Sequence, residues 1–242
     1  MQPWQEWSRR LKEVLGLDSG PVAVTYTDVP ATNGSSRRVM VCAAFHLARK
    51  GMTFNLTAER SVCPGGTRHL GLAEDTSWES FQATKRFLVH GEKFRSCYAA
   101  YFRSGVMNRA RPPYYLAAYV VIGPAEEAEQ KPDLFLIFCE PAQASRLVVL
   151  ATFESGLPLK VQVSGSTCGS AVTYPLATGR INVSFIDPSS RHLVKGFKPG
   201  ELIFSVPYFY MPHIVDAIDK STAGTAAPGM TFGELVSGVK GR

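Results

Sequence analysis

The chain has 242 residues, of which 45% are apolar, so one large domain or two small ones with a sizeable core is expected and disorder is not. No apolar run approaches the ~20 residues that span a bilayer, and the N-terminal MQPWQEWSRRLKEVL lacks the apolar stretch of a secretory signal, so a cytoplasmic protein is expected. The net charge of +6 is uneven: residues 1–111 carry 16 Lys and Arg against 9 Asp and Glu, and residues 112–242 carry 10 against 11.

In chain order, apolar residues at Trp4, Trp7, Leu11, Val14 and Leu15 predict a helix over Pro3–Leu15, closed by Gly16. Pro21-Val-Ala-Val-Thr-Tyr reads as a buried strand and VPATNGSS as a loop. Val39–Lys50 reads as a strand end running into a helix, and Met52–Ala58 as a short strand. A short helix follows Cys63-Pro-Gly-Gly up to Leu72. A helix capped by Ser77, with Trp78, Phe81 and Leu88 inward, runs to Val89, and a short helical stretch covers Cys97–Arg103.

Tyr114–Ile122 and Leu134–Cys139 are strand candidates separated by an acidic turn, and Pro141–Phe153 is a helix. Strand signals recur at Leu159–Val163, Ile181–Ile186 and Leu202–Val206, with helical signals at Cys168–Leu176 and Tyr208–Lys220. STAGTAAPG reads as a linker before a weak helix at Phe232–Val239. Strands and helices mix without a βαβ rhythm, so the fold class is α+β, a mixed or antiparallel sheet with helices packed on it. Residues 1–220 form a single domain and 221–242 a tail.

Five cysteines, an odd number in a chain expected to stay reduced, point to metal or catalytic thiols more than to disulfides. Cys63 stands directly before a proline that opens a helix, where unpaired N–H groups and the helix dipole favour a thiolate. Gly65 and Gly66 leave the backbone bare for a bulky group, and Arg60, Arg68 and His69 are near in sequence. Cys42 and Cys168 also fall at junctions of predicted elements. Cys139 ends an apolar strand and Cys97 lies in an aromatic run, so both read as ordinary thiols.

Cys42, Cys63 and Cys168 lie 21 and 105 residues apart, without the short pairs of ferredoxins or zinc sites. A distributed three-cysteine site suits a [4Fe-4S] cluster with one iron open, able to act as a Lewis acid on a small anionic molecule or to serve a redox partner. Two other readings stay open. One is a metal-free ligand-binding or regulatory module with structural cysteines. The other is a cysteine nucleophile at Cys63 or Cys168, where GSTCGSA faintly resembles a nucleophile loop. His46, four residues after Cys42, shares its helix face. Arg191, after a strand and a turn, can serve an anion or, the reading favoured, a helix C-terminus. Basic residues come as scattered pairs with no aromatic RNA-binding motif, so nucleic acid is not an expected partner.

The segments VCAAFHLARKG (Val41–Gly51), CPGGTRHLGL (Cys63–Leu72), PAQASRLV (Pro141–Val148), INVSF with Arg191, and ELIFSVP (Glu201–Pro207) occur in that order. Together they resemble the prokaryotic family called domain of unknown function 169, over roughly residues 10–220. The resemblance implies that Cys42, Cys63 and Cys168 occupy motif positions. It also implies a further cysteine shortly before the arginine, and here Asp187 stands at about that place. The cofactor expectation is therefore a cluster held by Cys42, Cys63 and Cys168, with Asp187 as fourth ligand or an open iron, and with Gly65, Gly66, Arg68 and Arg191 around it.

Overall fold

The structure, a computed structural model, describes residues 1–72, 78–100, 103 and 117–225. Six strands form one antiparallel sheet in the order β2-β3-β1-β4-β6-β5. They are β1 (Val22–Thr27), β2 (Phe54–Leu56), β3 (Tyr119–Pro124), β4 (Leu134–Cys139), β5 (Asn182–Phe185) and β6 (Leu202–Pro207). The fold is α+β and a single domain.

β4, LFLIFC, is buried along its whole length, because helices cover both faces of the sheet. Alternation along each strand separates two cores. Ala23, Phe135, Ile137, Cys139 and Phe204 face α1 (Pro3–Leu15), α5 (Pro141–Thr152) and α8 (Met211–Asp216). Val22, Val24, Leu134, Leu136, Phe138 and Ile203 face the opposite layer. That layer contains α2 (Val41–Ala48), α3 (Pro64–His69), a π-helix at Gly169–Thr173 and α6 (Tyr174–Thr178).

Most predicted elements stand where periodicity placed them, α1 and β4 to the residue. Trp4 is a core residue, and its indole N–H donates to the Ala128 carbonyl at 3.0 Å. Leu159–Val163 is a correction, since no strand forms there. Pro158 removes a ladder donor at its start. The Asn182 side chain occupies the place of a partner strand, accepting from Gln162 N–H at 2.8 Å and donating to the Gln162 carbonyl at 3.1 Å. The helix predicted through Val89 is α4 (Trp78–Arg86) running into a π-helix at Phe87–Gly91, with Leu88 buried. Ser77, the Trp78 and Phe81 side chains, and Phe232–Val239 lie outside the described residues.

The sequence reading shows no helix between Ile186 and Leu202, yet α7 (Pro188–Leu193) forms there, within the connection of the β5–β6 hairpin. Asp187-Pro188 is an N-cap followed by proline at the first helical position. Arg191 then cinches the connection. Its guanidinium donates to the carbonyls of Ile186 at 3.1 Å, Lys198 at 2.5 Å and Glu201 at 2.7 Å.

Candidate cysteine site

Cys42 lies in the first turn of α2 and is buried. Cys63 is the N-cap of α3, and its sulfur accepts from the Gly66 N–H at 3.4 Å. The Thr67 hydroxyl lies 2.7 Å from Ser61 Oγ and 2.9 Å from the Cys63 carbonyl, which holds this corner closed. Gly66 is the point where α3 meets α2: a Cβ there would stand 2.8 Å from Val41 Cγ2, next to Cys42. The missing side chain of Gly66 therefore lets α3 pack closely on α2. Gly65 faces open space.

Cys168 immediately precedes the second π-helix, a feature frequent at functional sites. Gly169 lies against α3, where a Cβ would approach His69 Cε1 to 3.1 Å. His69 is buried, with Nε2 3.3 Å from Ser166 Oγ and Nδ1 3.4 Å from Thr173 Oγ1. The Thr173 hydroxyl donates to the His69 carbonyl at 2.6 Å. Asp187 binds the same loop from the other side. Its Oδ2 accepts from Thr167 N–H at 2.9 Å and Thr167 Oγ1 at 2.5 Å. Its Oδ1 accepts from Ser190 N–H at 2.7 Å, and Oδ2 also accepts from Ser190 Oγ at 2.9 Å.

The electrostatics report the same proximity. Burial pushes the Cys168 thiol well above its ordinary range, and negative charge at Cys42, Cys63 and Asp187 adds to the shift. Burial is also the main cause that raises Cys42; Cys63 and Asp187 add to it, and a hydrogen bond with Ser190 acts against it. The three cysteines expected to meet therefore share one neighbourhood on one side of the sheet. Cys139 faces the opposite core, where burial pushes its thiol up to about 12, and Cys97 is exposed. The thiols do not surround a single point: among the described residues, no group of three or more His, Cys, Asp or Glu is placed to hold a metal ion.

The predicted basic residues divide. Arg68 is buried on α3. Arg60 donates to the Asn55 carbonyl at 3.1 Å and lies 5.9 Å from the Tyr119 ring centre. Arg191 is committed to its three carbonyls. His46 lies against Gly196 and Phe197, over α2. Sequence reasoning missed Glu92 and Arg103. Burial raises the Glu92 carboxyl and lowers the Arg103 guanidinium, and each feels the charge of the other and of Asp187. No spacing signal links these two residues to Asp187. The Asp-Pro pair, by contrast, carried a legible cap signal.

The chain matches the family called domain of unknown function 169, described as uncharacterised ArCR, over residues 10–217. It belongs to that family. A relative from Methanocaldococcus jannaschii, the uncharacterized protein MJ0308, is 24% identical over 225 residues, covering 89% of this chain and 93% of the relative. No solved structure gives a significant match. The domain of unknown function 169 match takes in Cys42, Cys63, Cys168 and Asp187 together. Among the described residues of this family member, no helix is long and apolar enough to cross a membrane.

Proposed function

We propose that the protein binds a [4Fe-4S]-type cluster through Cys42, Cys63 and Cys168 and uses it in redox or Lewis-acid chemistry on a small anionic molecule. The observation that carries this reading is the sorting of the cysteines. Three thiols from three distant segments share one electrostatic neighbourhood, while Cys139 and Cys97 stand apart.

As free groups, Cys42 and Cys168 are held from ionising by burial first, and negative charge at Cys63 and Asp187 adds to it. A cationic guest reverses that balance, since a coordinated thiol gives up its proton outright. A single ion would draw its sulfurs to about 2.3 Å from one point. A cluster distributes its ligands over several irons, which suits thiols that share a neighbourhood without surrounding one point. Arg68, buried on α3, supplies positive charge on the same side. The raised Cys168 thiol weighs against a nucleophile at that residue, which needs a thiolate at neutral pH.

Anaerobic reconstitution with iron and sulfide tests the proposal. The expected result is a brown protein with broad visible absorbance and near-equal iron and sulfide. Cys42→Ser, Cys63→Ser and Cys168→Ser each lose iron, and Cys97→Ser and Cys139→Ser retain it. A wild-type protein that stays colourless and iron-free overturns the reading.

A further inference from the structure

The loop SGSTCGS, residues 164–170, leads into the second π-helix, and the cluster uses only its cysteine. A hydroxyl of the same loop has a base beside it. His69 reaches in from α3, and its Nε2 lies 3.3 Å from Ser166 Oγ. The imidazole is buried and Ser166 is half-buried. On the other side of the ring, Nδ1 lies 3.4 Å from Thr173 Oγ1.

The surrounding hydrogen bonds fix the direction of these contacts. Thr173 has one hydroxyl proton, and it goes to the His69 carbonyl at 2.6 Å. Toward Nδ1 the Thr173 oxygen can then only accept, which puts the ring proton on Nδ1. In the neutral ring Nε2 is left as a lone pair. Ser166 Oγ accepts from the Gly169 N–H at 3.2 Å, and its own proton is free for Nε2. Gly169 makes room for the pair, since a Cβ there would stand 3.1 Å from both Ser166 Oγ and His69 Cε1.

We propose that Ser166 is a nucleophile and His69 its general base, in acyl transfer from a small activated ester or thioester. The arrangement supplies a nucleophile, a base at its hydroxyl and a third group that orients the base. Contacts of this kind are commonly loose before substrate binds and tighten in the complex. Attack forms the bond from Ser166 Oγ to the acyl carbon while the hydroxyl proton passes to Nε2. The bond to the leaving group then breaks, and the leaving group takes that proton. Water repeats the sequence, releases the acid and restores the serine. Thr173 is a positioning residue. Its neutral hydroxyl holds the tautomer but stabilises an imidazolium less than a carboxylate does, which favours leaving groups that need little protonation. This inference is independent of the cluster reading.

Two measurements test it. The first is labelling by a fluorophosphonate, mapped by peptide mass spectrometry, together with turnover of p-nitrophenyl acetate. The label is expected on Ser166, lost in Ser166→Ala and kept in Ser164→Ala. Both rates are expected to fall about 100-fold in His69→Gln, the loss of a general base. The second is nitrogen NMR of the His69 ring in the wild-type protein, expected to show Nδ1 protonated and Nε2 bare. If His69→Gln does not fold, Thr173 decides the role of the base: Thr173→Val is expected to lower both rates about fivefold and to mix the tautomers, and Thr173→Ser to restore both. A wild-type protein that takes no label, a label on a residue other than Ser166, or a neutral ring protonated at Nε2 overturns the inference. Iron content bears on the cluster reading alone.

Discussion

Arg49 and Glu201 form an ion pair removed from solvent, with side chains 9% and 3% exposed. Arg49 Nη1 donates to Glu201 Oε2 at 2.9 Å and Nη2 lies 2.6 Å from Oε1, so the pair is bidentate. The guanidinium stands 4.4 Å over the Phe138 ring centre, and its Nε donates to Ser19 Oγ at 3.1 Å. The pair fixes the C-terminal end of α2, the helix that carries Cys42, to the start of β6.

Breaking one partner strands a buried charge. Glu201→Gln is therefore expected to lower stability by about 3–5 kcal/mol, and Arg49→Met with Glu201→Leu by less than Glu201→Gln alone. Urea denaturation of the three proteins checks this. A Glu201→Gln midpoint equal to wild type would contradict the pair's role.

Gly65 and Gly66 are neighbours with opposite environments. Gly66→Ala places a methyl 2.8 Å from Val41 Cγ2 and is expected to cost about 1–3 kcal/mol and to separate α3 from α2. Gly65→Ala meets open space inside a helix, so a gain of about 0.5–1 kcal/mol is expected. Thermal denaturation ranks them. The order Gly65→Ala, wild type, Gly66→Ala is the outcome required.

The difference between these two glycines shows what the chain made legible. Periodicity located α1 and β4, and the junction cysteines stood out because a turn needs no sulfur. The sequence could not show which face of the sheet each thiol meets, because that depends on β-sheet alternation and on strand order β2-β3-β1-β4-β6-β5. It could not show that Gly66 admits a helix, because Val41 is its neighbour only in the folded protein. Leu159–Val163 alternates like a strand, but the segment is held by the Asn182 amide in place of a ladder. Asp187-Pro188 carried a cap signature that a reading for metal ligands passed over.

Thiol reactivity in the metal-free protein follows from burial. Cys97, exposed, is expected to react first with iodoacetamide at mildly alkaline pH. Cys139, buried with its thiol pushed up to about 12, reacts last. Cys168 and Cys42, raised by burial and by neighbouring negative charge, react slowly. Peptide mass spectrometry gives the order, and a Cys139 that labels as fast as Cys97 would contradict the two-core arrangement.

His46 makes stability depend on pH in one direction. It is buried on α2, its Nδ1 has no hydrogen-bond partner among the described residues, and its ring meets Phe197 edge-on at 5.4 Å. Burial is the main cause holding its pKa below 6.5; Lys50 and Arg49 lower it further, and Glu201 acts against them. The folded protein therefore binds this proton less readily than the unfolded chain. The stability contributed by neutral His46 is fully present above 6.5 and is lost as pH falls from there toward the lowered folded value. Other groups add their own slopes, so the informative quantity is the difference from His46→Leu, which has no proton to gain. Urea midpoints measured across the fall from neutral to mildly acidic pH should decline more steeply for wild type than for His46→Leu. Parallel declines would mean that the imidazole is protonated as easily in the fold as outside it, and that the Phe197 side of α2 admits water.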